Sequence, residues 1–146
     1  MDLQKILSEA CSEGREWAGN RNAQQIWDEC PRGDWLLWFA YRIKVKRRDM
    51  ILASCACARR VLKNATPGDE RPRLAIEAAE AYANHPTKAN RSAAWSAESA
   101  ESAWSAESAA WSAARSAARS AARSESAEHL ACANEVRKVL GKYRPE

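Results

Sequence analysis

The sequence predicts an all-α protein, a single compact domain of about six to seven helices over residues 1–146. Three observations lead to this prediction. Several stretches repeat apolar residues at spacings of three and four, as one face of a helix requires. No stretch alternates apolar and polar residues convincingly, as a half-buried strand would. Residues 87–140 contain neither Gly nor Pro and consist largely of good helix formers.

The C-terminal part is dominated by a repeat. Residues 91–128 are almost entirely Ser, Ala, Glu and Arg, and residues 112–123 step in fours. That spacing should place Arg115, Arg119 and Arg123 in one basic stripe beside a smooth alanine face. An unbroken helix over residues 87–140 would be about 80 Å long, twice the diameter of a globule of this size. We therefore predict a long Ala/Ser-rich helical hairpin near the C-terminus.

The domain divides into two parts by composition. Residues 1–86 should form N-terminal helices with a tryptophan-rich core, and residues 87–146 should form the Ala/Ser-rich long helices and a C-terminal helix.

The first helices are predicted from caps and apolar spacing. A first helix should have Asp2 as its N-cap and be ended or bent by Gly14. Its apolar face consists of Leu3, Ile6, Leu7, Ala10 and Cys11. Asn22 and Gln25 have the form of a capping box, which should open a short helix through Cys30.

The remaining helices follow from similar signals. Asp34 is a good N-cap for residues 35–41, which are apolar on every side and should form a central core helix; by periodicity alone a buried strand is the alternative. A fourth helix over residues 50–63 should pack through Ile51, Cys55, Ala58 and Leu62. Pro72 suits the first turn of the next helix, Thr87 can cap the one after it, and the last should stop at Gly141.

Composition restricts the class of protein. The chain has no apolar run of about 20 residues and no secretory signal pattern, so we expect a cytoplasmic protein without a membrane span. Its five cysteines include no C-x-x-C pair and read as reduced, mostly buried thiols. His85 and His129 have no metal ligands at the usual spacing, so we expect neither a zinc site nor a cofactor. Arg32-Gly33-Asp34 matches the tripeptide that cell-surface adhesion receptors bind, but a match of three residues is too short to indicate an adhesion protein.

The net charge of +4 is unevenly distributed. Residues 42–63 contain eight basic residues and one acid, whereas residues 92–111 contain three acids and no base. The protein should therefore have a basic pole and an acidic pole.

The basic pole suggests an anion site. Cations at the start of a helix oppose its dipole, so Lys46, Arg47 and Arg48 make sense there if an anion binds. Arg48 and Arg59 are eleven residues apart, which places them within about 20° of each other around a helix. The candidate anion- or nucleotide-binding residues are Lys46, Arg47, Arg48, Arg59, Arg71 and Trp27.

Each of these residues also has a structural interpretation. The basic residues before the fourth helix can pair with the chain's own Glu98, Glu101 or Glu107. Arg71 belongs with Asp69 and Arg73 to a typical helix-start charge cluster. Trp35 and Trp38 are predicted to be core residues. Trp17 and Trp27 lie in less apolar surroundings and are better candidates for contact with a base or a partner.

Several motifs resemble one family. They are the block Trp27-Asp-Glu-Cys30-Pro-Arg32-Gly-Asp34-Trp35-Leu-Leu-Trp38, then 56–59, then 68–80, and an Ala-rich tail that ends in 135–138. In this order they resemble the immunity proteins of bacterial polymorphic toxin systems, small proteins that phages also encode. The resemblance implies a protein that binds and blocks a toxin without catalysis.

Four classes of function remain open. The first is the toxin-binding inhibitor, with a cognate toxin as its partner. The second is a homo-oligomeric phage sponge, joined through the Ala-rich helices, that sequesters a phosphate-bearing nucleotide such as a cyclic nucleotide or an ADP-ribose derivative. A nucleic-acid binder is less well supported because the basic residues show no recognition-helix pattern. An enzyme is least well supported, since there is no nucleophile elbow, phosphate loop or metal cluster.

Overall fold

A computed structural model describes residues 1–62, 67–98 and 126–146. Within these ranges every regular element is a helix, which confirms the all-α prediction. The helices are α1 (Leu3–Ser8), α2 (Ser12–Ala18), α3 (Ala23–Glu29), α4 (Gly33–Arg42), α5 (Arg47–Val61), α6 (Arg71–Asn84), α7 (Lys88–Glu98) and α8 (Ser126–Leu140), followed by a 3-10 turn (Gly141–Tyr143). Of the range predicted as a helical hairpin, α7 and α8 are described, whereas residues 99–125, with the arginine stripe and its alanine face, lie outside the described residues. No helix in the described ranges combines the length and hydropathy that a membrane span requires.

Three predicted N-caps are confirmed by their hydrogen bonds. The Asp2 carboxylate accepts from the Lys5 amide at 3.1 Å. Asn22 and Gln25 form the full capping box, with distances of 2.8 and 2.9 Å. The Thr87 hydroxyl accepts from the backbone N–H three residues later at 3.1 Å. These caps satisfy amide groups that have no partner inside the helix, so each fixes where its helix begins.

The first helix breaks earlier than predicted. α1 ends at Ser8 with two i to i+3 hydrogen bonds, from Glu9 to Ile6 and from Ala10 to Leu7, each 3.1 Å long. Cys11 then caps α2 through its sulfur, which accepts from the Gly14 amide at 3.3 Å. Gly14 therefore lies inside α2 instead of ending α1. The chain reverses at Gly19, whose φ of +48° is one that residues with a Cβ rarely adopt.

The start of α4 also differs from the prediction. The helix begins at Gly33, and Asp34 lies in its first turn instead of at the cap. The Asp34 carboxylate pairs with Arg32, which takes the cap position without making a side-chain cap hydrogen bond. Both carboxylate oxygens of Asp34 accept from Arg32, and this two-bond pair between opposite charges is stronger than the single predicted capping bond to a backbone N–H.

The main core lies where α4 and α5 pack against α8. Leu36 of α4 is fully buried, as are Ala133, Val136 and Leu140 of α8, at 0% exposure. This confirms α4 as the central core helix. Residues far apart in the sequence therefore meet in one core.

A second, smaller core joins α5 to α6. It contains Ile51, Cys55 and Ala58 of α5, with Leu62 beside them, and it confirms the predicted face. On α6 the most buried side chains are Ile76, Ala79 and Ala83. Small residues at this contact allow the two helices to approach closely, and α7 then packs on α6.

Gly33 lies at a close contact between α4 and α8. A Cβ at this position would lie 2.7 Å from the Cβ of Cys132 and 3.1 Å from the backbone nitrogen of Ala133. Neither group is the flexible end of a side chain, so no small adjustment would relieve the clash. The glycine of Arg32-Gly33-Asp34 is therefore required by helix packing.

Arg137 fastens α8 to the end of α3. Its Nε donates to the Trp27 carbonyl at 2.8 Å, and its Nη2 donates to the Cys30 carbonyl at 2.5 Å. The last carbonyls of a helix have no partner inside the helix, and the negative end of the helix dipole favours a cation there. One side chain of α8 thus positions α3 and the chain that leads into α4.

We predict that Gly33→Ala lowers the free energy of unfolding by about 1–3 kcal/mol, because the new methyl group overlaps α8. Urea denaturation monitored by circular dichroism measures the loss. Gly141→Ala is the matched control, since a Cβ there meets nothing within 4 Å, and it should change stability by less than about 0.5 kcal/mol. Equal stabilities for the two variants would contradict the close contact.

Candidate functional site

The basic start of α5 is used within the protein. Lys46, Arg47 and Arg48 are all exposed. Arg48, however, donates from Nε to the Ala83 carbonyl at 3.1 Å and from Nη2 to the Asn84 side chain at 3.0 Å. It therefore caps the C-terminus of α6, a position where the helix dipole favours a cation. The sequence did not reveal this role because the partners are 35 and 36 residues away.

A buried carboxylate lies directly behind these cations. Asp49 is 5% exposed and accepts a 2.7 Å hydrogen bond from the Tyr143 hydroxyl. Lys142 lies 2.8 Å from the same carboxylate oxygen, and Arg48 lies 3.5 Å from the other. Burial alone would raise the pKa of Asp49, but the hydrogen bonds from Lys142 and Tyr143 and the nearby positive charges outweigh burial and lower it. We call this group the Asp49 latch, because it fastens the C-terminal turn to α5.

The other predicted anion-binding arginines are also paired. Arg59 makes two hydrogen bonds to Glu80, at 2.7 and 2.6 Å, and Arg71 makes two to Asp69, each 2.8 Å. Arg48 and Arg59 do lie on the same side of α5, but both face α6. They hold α6 in place and do not bracket an open space for two phosphates.

Trp27 is not available to a ligand, and its assignment as a contact residue was wrong. It is 1% exposed, lies in the main core, and its carbonyl accepts the hydrogen bond from Arg137. The polar residues beside it in the sequence lie on the other side of the short α3, so its sequence neighbours do not indicate its surroundings. Trp17, proposed on the same grounds, is half-buried at the surface.

A cavity of about 500 Å³ lies between the first four helices. Three half-buried tryptophans contribute to its wall: Trp17 from α2, and Trp35 and Trp38 from α4. We call this site the tryptophan cavity. The remaining lining residues are Leu7, Ala10, Cys11, Glu13, Gly14, Ala18, Ile26, Cys30, Arg32, Asp34 and Phe39. The volume lies within the usual range for sites that bind small molecules or large side chains.

The tryptophans are held in place before any ligand binds. The Trp17 and Trp35 ring centroids are 6.1 Å apart with an angle of 47° between the planes, a favourable aromatic geometry. Each of the three rings also has a guanidinium over it, from Arg21, Arg32 and Arg42 at 4.6, 4.6 and 5.9 Å respectively.

Each of these arginines is itself fixed by a carboxylate. The nitrogen-to-oxygen distances are 2.9 Å for Arg21–Glu29, 2.7 Å for Arg32–Asp34 and 2.6 Å for Arg42–Glu9. The rings are therefore restrained by a shell of acid–arginine pairs. When a partner binds, these side chains of the protein therefore lose little additional freedom.

The cavity wall carries a net negative charge. Its charged lining residues are Glu13, Arg32 and Asp34, two acids against one base. The hydrogen bonds that Arg32 donates to Asp34 raise the pKa of Arg32, so the guanidinium stays charged and paired. Within the described ranges the exposed Glu13 side chain makes no ion pair, and its charge acts on Arg32 only at longer range. Glu13 is therefore available to a cation outside the protein.

Cys11 gives the cavity a chemical reporter. It is exposed at the cavity wall, whereas the other four cysteines are buried. Burial raises the pKa of Cys30 to about 11 and that of Cys55 to about 12. A hydrogen bond to Cys132 and burial raise the pKa of Cys57. These thiols are therefore protonated and shielded at neutral pH.

Part of this site, Trp17, is predicted from the sequence as a contact residue. Trp35 and Trp38 are predicted to be core residues, because α4 is apolar on every side. In the structure the fully buried face of α4 belongs to Leu36, Leu37 and Ala40, and the two tryptophans lie half-buried beside the cavity. The spacing of three between Trp35 and Trp38 places both on one side of a helix. This spacing is the pattern in the sequence that indicates a shared site for the two rings.

We predict that Asp49→Asn destabilises the protein by about 1–3 kcal/mol at pH 7, because it weakens charge-assisted bonds to Tyr143 and Lys142. The folded-state pKa of Asp49 is lowered, so its stabilisation is present above about pH 4 and is lost as the pH falls below that value. Urea denaturation at pH 7 and pH 3 should show the difference between variant and parent shrinking at pH 3. A difference of the same size at both pH values would contradict the latch.

We predict that a thiol reagent such as DTNB modifies one cysteine of the native protein rapidly and all five after denaturation. Cys11→Ser should abolish the rapid reaction and leave the denatured count one lower. Rapid reaction of two or more thiols in the native protein would contradict the burial of the other four.

Comparison of the chain with protein-family models, with curated proteins and with solved structures finds no match.

Proposed function

We propose that this protein is a non-enzymatic binding protein of bacterial or phage conflict systems, and that it binds and blocks a toxin protein at the tryptophan cavity. The observation that supports this function is the grouping of three half-buried tryptophans around one open cavity. Tryptophan and arginine are the residues most enriched at binding hot spots between proteins. A partner covering this region would remove Trp17, Trp35 and Trp38 from water together.

The fixed geometry of the cavity favours tight binding. The rings are held by Arg21, Arg32 and Arg42, and these arginines are held by carboxylates. Because the surface is already organised, less of the binding free energy is used to order it. Blocking a toxin requires only that a stable complex covers the toxin's working surface, so the proposal includes no catalytic step.

The nucleotide sponge is a second candidate with less support. The size of the cavity and its aromatic wall would suit a nucleobase. The wall is net negative, however, and the phosphate-binding arginines expected from the sequence pair with Asn84, Glu80 and Asp69. The alanine faces proposed to join its subunits lie in residues 99–125, outside the described ranges. The toxin-binding proposal depends on neither feature.

The test is a neutralisation assay with two matched variants. The protein is tagged and expressed in its host, and a co-purifying protein is identified, tested for toxicity alone and then expressed together with each variant. Glu13→Lys should weaken both complex formation and rescue of growth by about tenfold or more, because it places a long cation at the cavity. Glu16→Lys makes the same charge change on the same helix away from the cavity and should leave both intact.

Two results would contradict the proposal. One is a toxin that Glu13→Lys and Glu16→Lys neutralise equally well. The other is a cyclic dinucleotide or ADP-ribose derivative that raises the melting temperature by several degrees, which would favour the sponge. In that case Arg48→Ala, which removes a basic side chain at the start of α5, is the variant to test with the same ligand.

A further inference from the structure

This inference rests on the proposed function and specifies the chemistry of the partner. We propose that the tryptophan cavity receives an aromatic side chain of the partner protein, and that a Lys or Arg next to that side chain pairs with Glu13 at the cavity wall. The proposal combines the aromatic wall inside the cavity with an available carboxylate at its edge.

The wall favours an aromatic occupant. Trp17 and Trp35 already meet at 6.1 Å in a tilted geometry, and a third ring can extend this arrangement. The arginines over Trp17 and Trp38, Arg21 and Arg42, do not line the cavity. The surface that these two rings contribute to the cavity is therefore left for an apolar partner. A buried aromatic side chain removes about 150–250 Å² from water, which makes it an effective anchor.

The charges place the partner's cation at the edge of the cavity and not inside it. Arg32 lines the cavity and its guanidinium lies 4.6 Å over Trp35, so a second cation placed against that ring would be repelled. Arg32 is balanced by two bonds to Asp34, whereas the exposed Glu13 side chain has no ion pair within the described ranges. An aromatic ring inside the cavity avoids placing a second cation beside Arg32, and a basic residue next to that ring in the partner can pair with Glu13. An acidic neighbour would meet Glu13 and a net negative wall.

The probes are three blocked dipeptides: acetyl-Phe-Lys-amide, acetyl-Phe-Glu-amide and acetyl-Ala-Lys-amide. None contains tryptophan, so the protein's own tryptophan fluorescence can report binding. The second readout is the rate at which Cys11 is alkylated, since an occupant of the cavity should shield this thiol. The full chain is used throughout, and circular dichroism confirms that each variant is folded.

Phe-Lys should bind about two- to five-fold more tightly than Phe-Glu, the range expected for one exposed ion pair. Ala-Lys should neither change the fluorescence nor protect Cys11. Glu13→Lys should reverse the preference between Phe-Lys and Phe-Glu, and Glu16→Lys should keep the parent's order. Trp38→Phe, which retains an aromatic wall, should keep binding, whereas Trp38→Ala should weaken it for both Phe peptides by a similar factor.

Three results would overturn the inference: binding of Phe-Glu as tight as that of Phe-Lys, protection of Cys11 by Ala-Lys, or equal effects of Glu13→Lys and Glu16→Lys on the preference. They are distinguishable from a failure of the proposed function. If the dipeptides fail but toxin neutralisation still depends on Glu13 and not on Glu16, only the chemistry of the occupant is wrong. If neutralisation is indifferent to both residues, the proposed function itself is wrong.

Discussion

The close contact between the start of α4 and the middle of α8 determines where the other elements lie. At Gly33 the two helices leave no room for a side chain, which fixes both the depth and the register of α4. Leu36, Leu37 and Ala40 then face the core, and the two tryptophans of α4 lie beside the cavity. Arg137 extends the same constraint from α8 to the end of α3. A C-terminal helix therefore holds a cavity built from the first 39 residues.

Arginine is the main polar connector in this molecule. Arg48 caps α6 and Arg137 caps α3, while Arg21, Arg32 and Arg42 hold the tryptophans of the cavity. A guanidinium suits these positions because it offers several donors in one plane and also stacks on aromatic rings. Within residues 42–63, four of the eight basic residues join helices to one another. The partners of Arg42, Arg48, Arg59 and Arg60 are Glu9, the Ala83 carbonyl, Glu80 and Glu128.

The sequence predicts several of the features that short-range interactions determine. Asp2, Asn22 and Thr87 act on amide groups three residues away, so their caps were identified correctly. The apolar face of α5 was also correct, since a helical period defines it without knowledge of the partner helix. The hydrogen bond between Asp49 and Tyr143 joins residues that are 94 positions apart, so the sequence around neither residue indicates it. Trp27 was assigned an exposed environment because its burial depends on how α3 docks, which neighbouring residues do not encode. Trp35 was assigned to the core, and it does pack against the main core while it also lines the cavity.

The central claim is that the protein meets its partner at the tryptophan cavity and not at the basic start of α5. The most direct measurement is a ¹H–¹⁵N NMR spectrum of the tryptophan indole groups, assigned by single Trp→Phe changes, with and without the neutralised toxin. The indole signals of Trp17, Trp35 and Trp38 should shift on binding, and that of the buried Trp27 should stay in place. Unchanged signals from the three cavity tryptophans, with shifts confined to the backbone amides of residues 46–48, would contradict the claim.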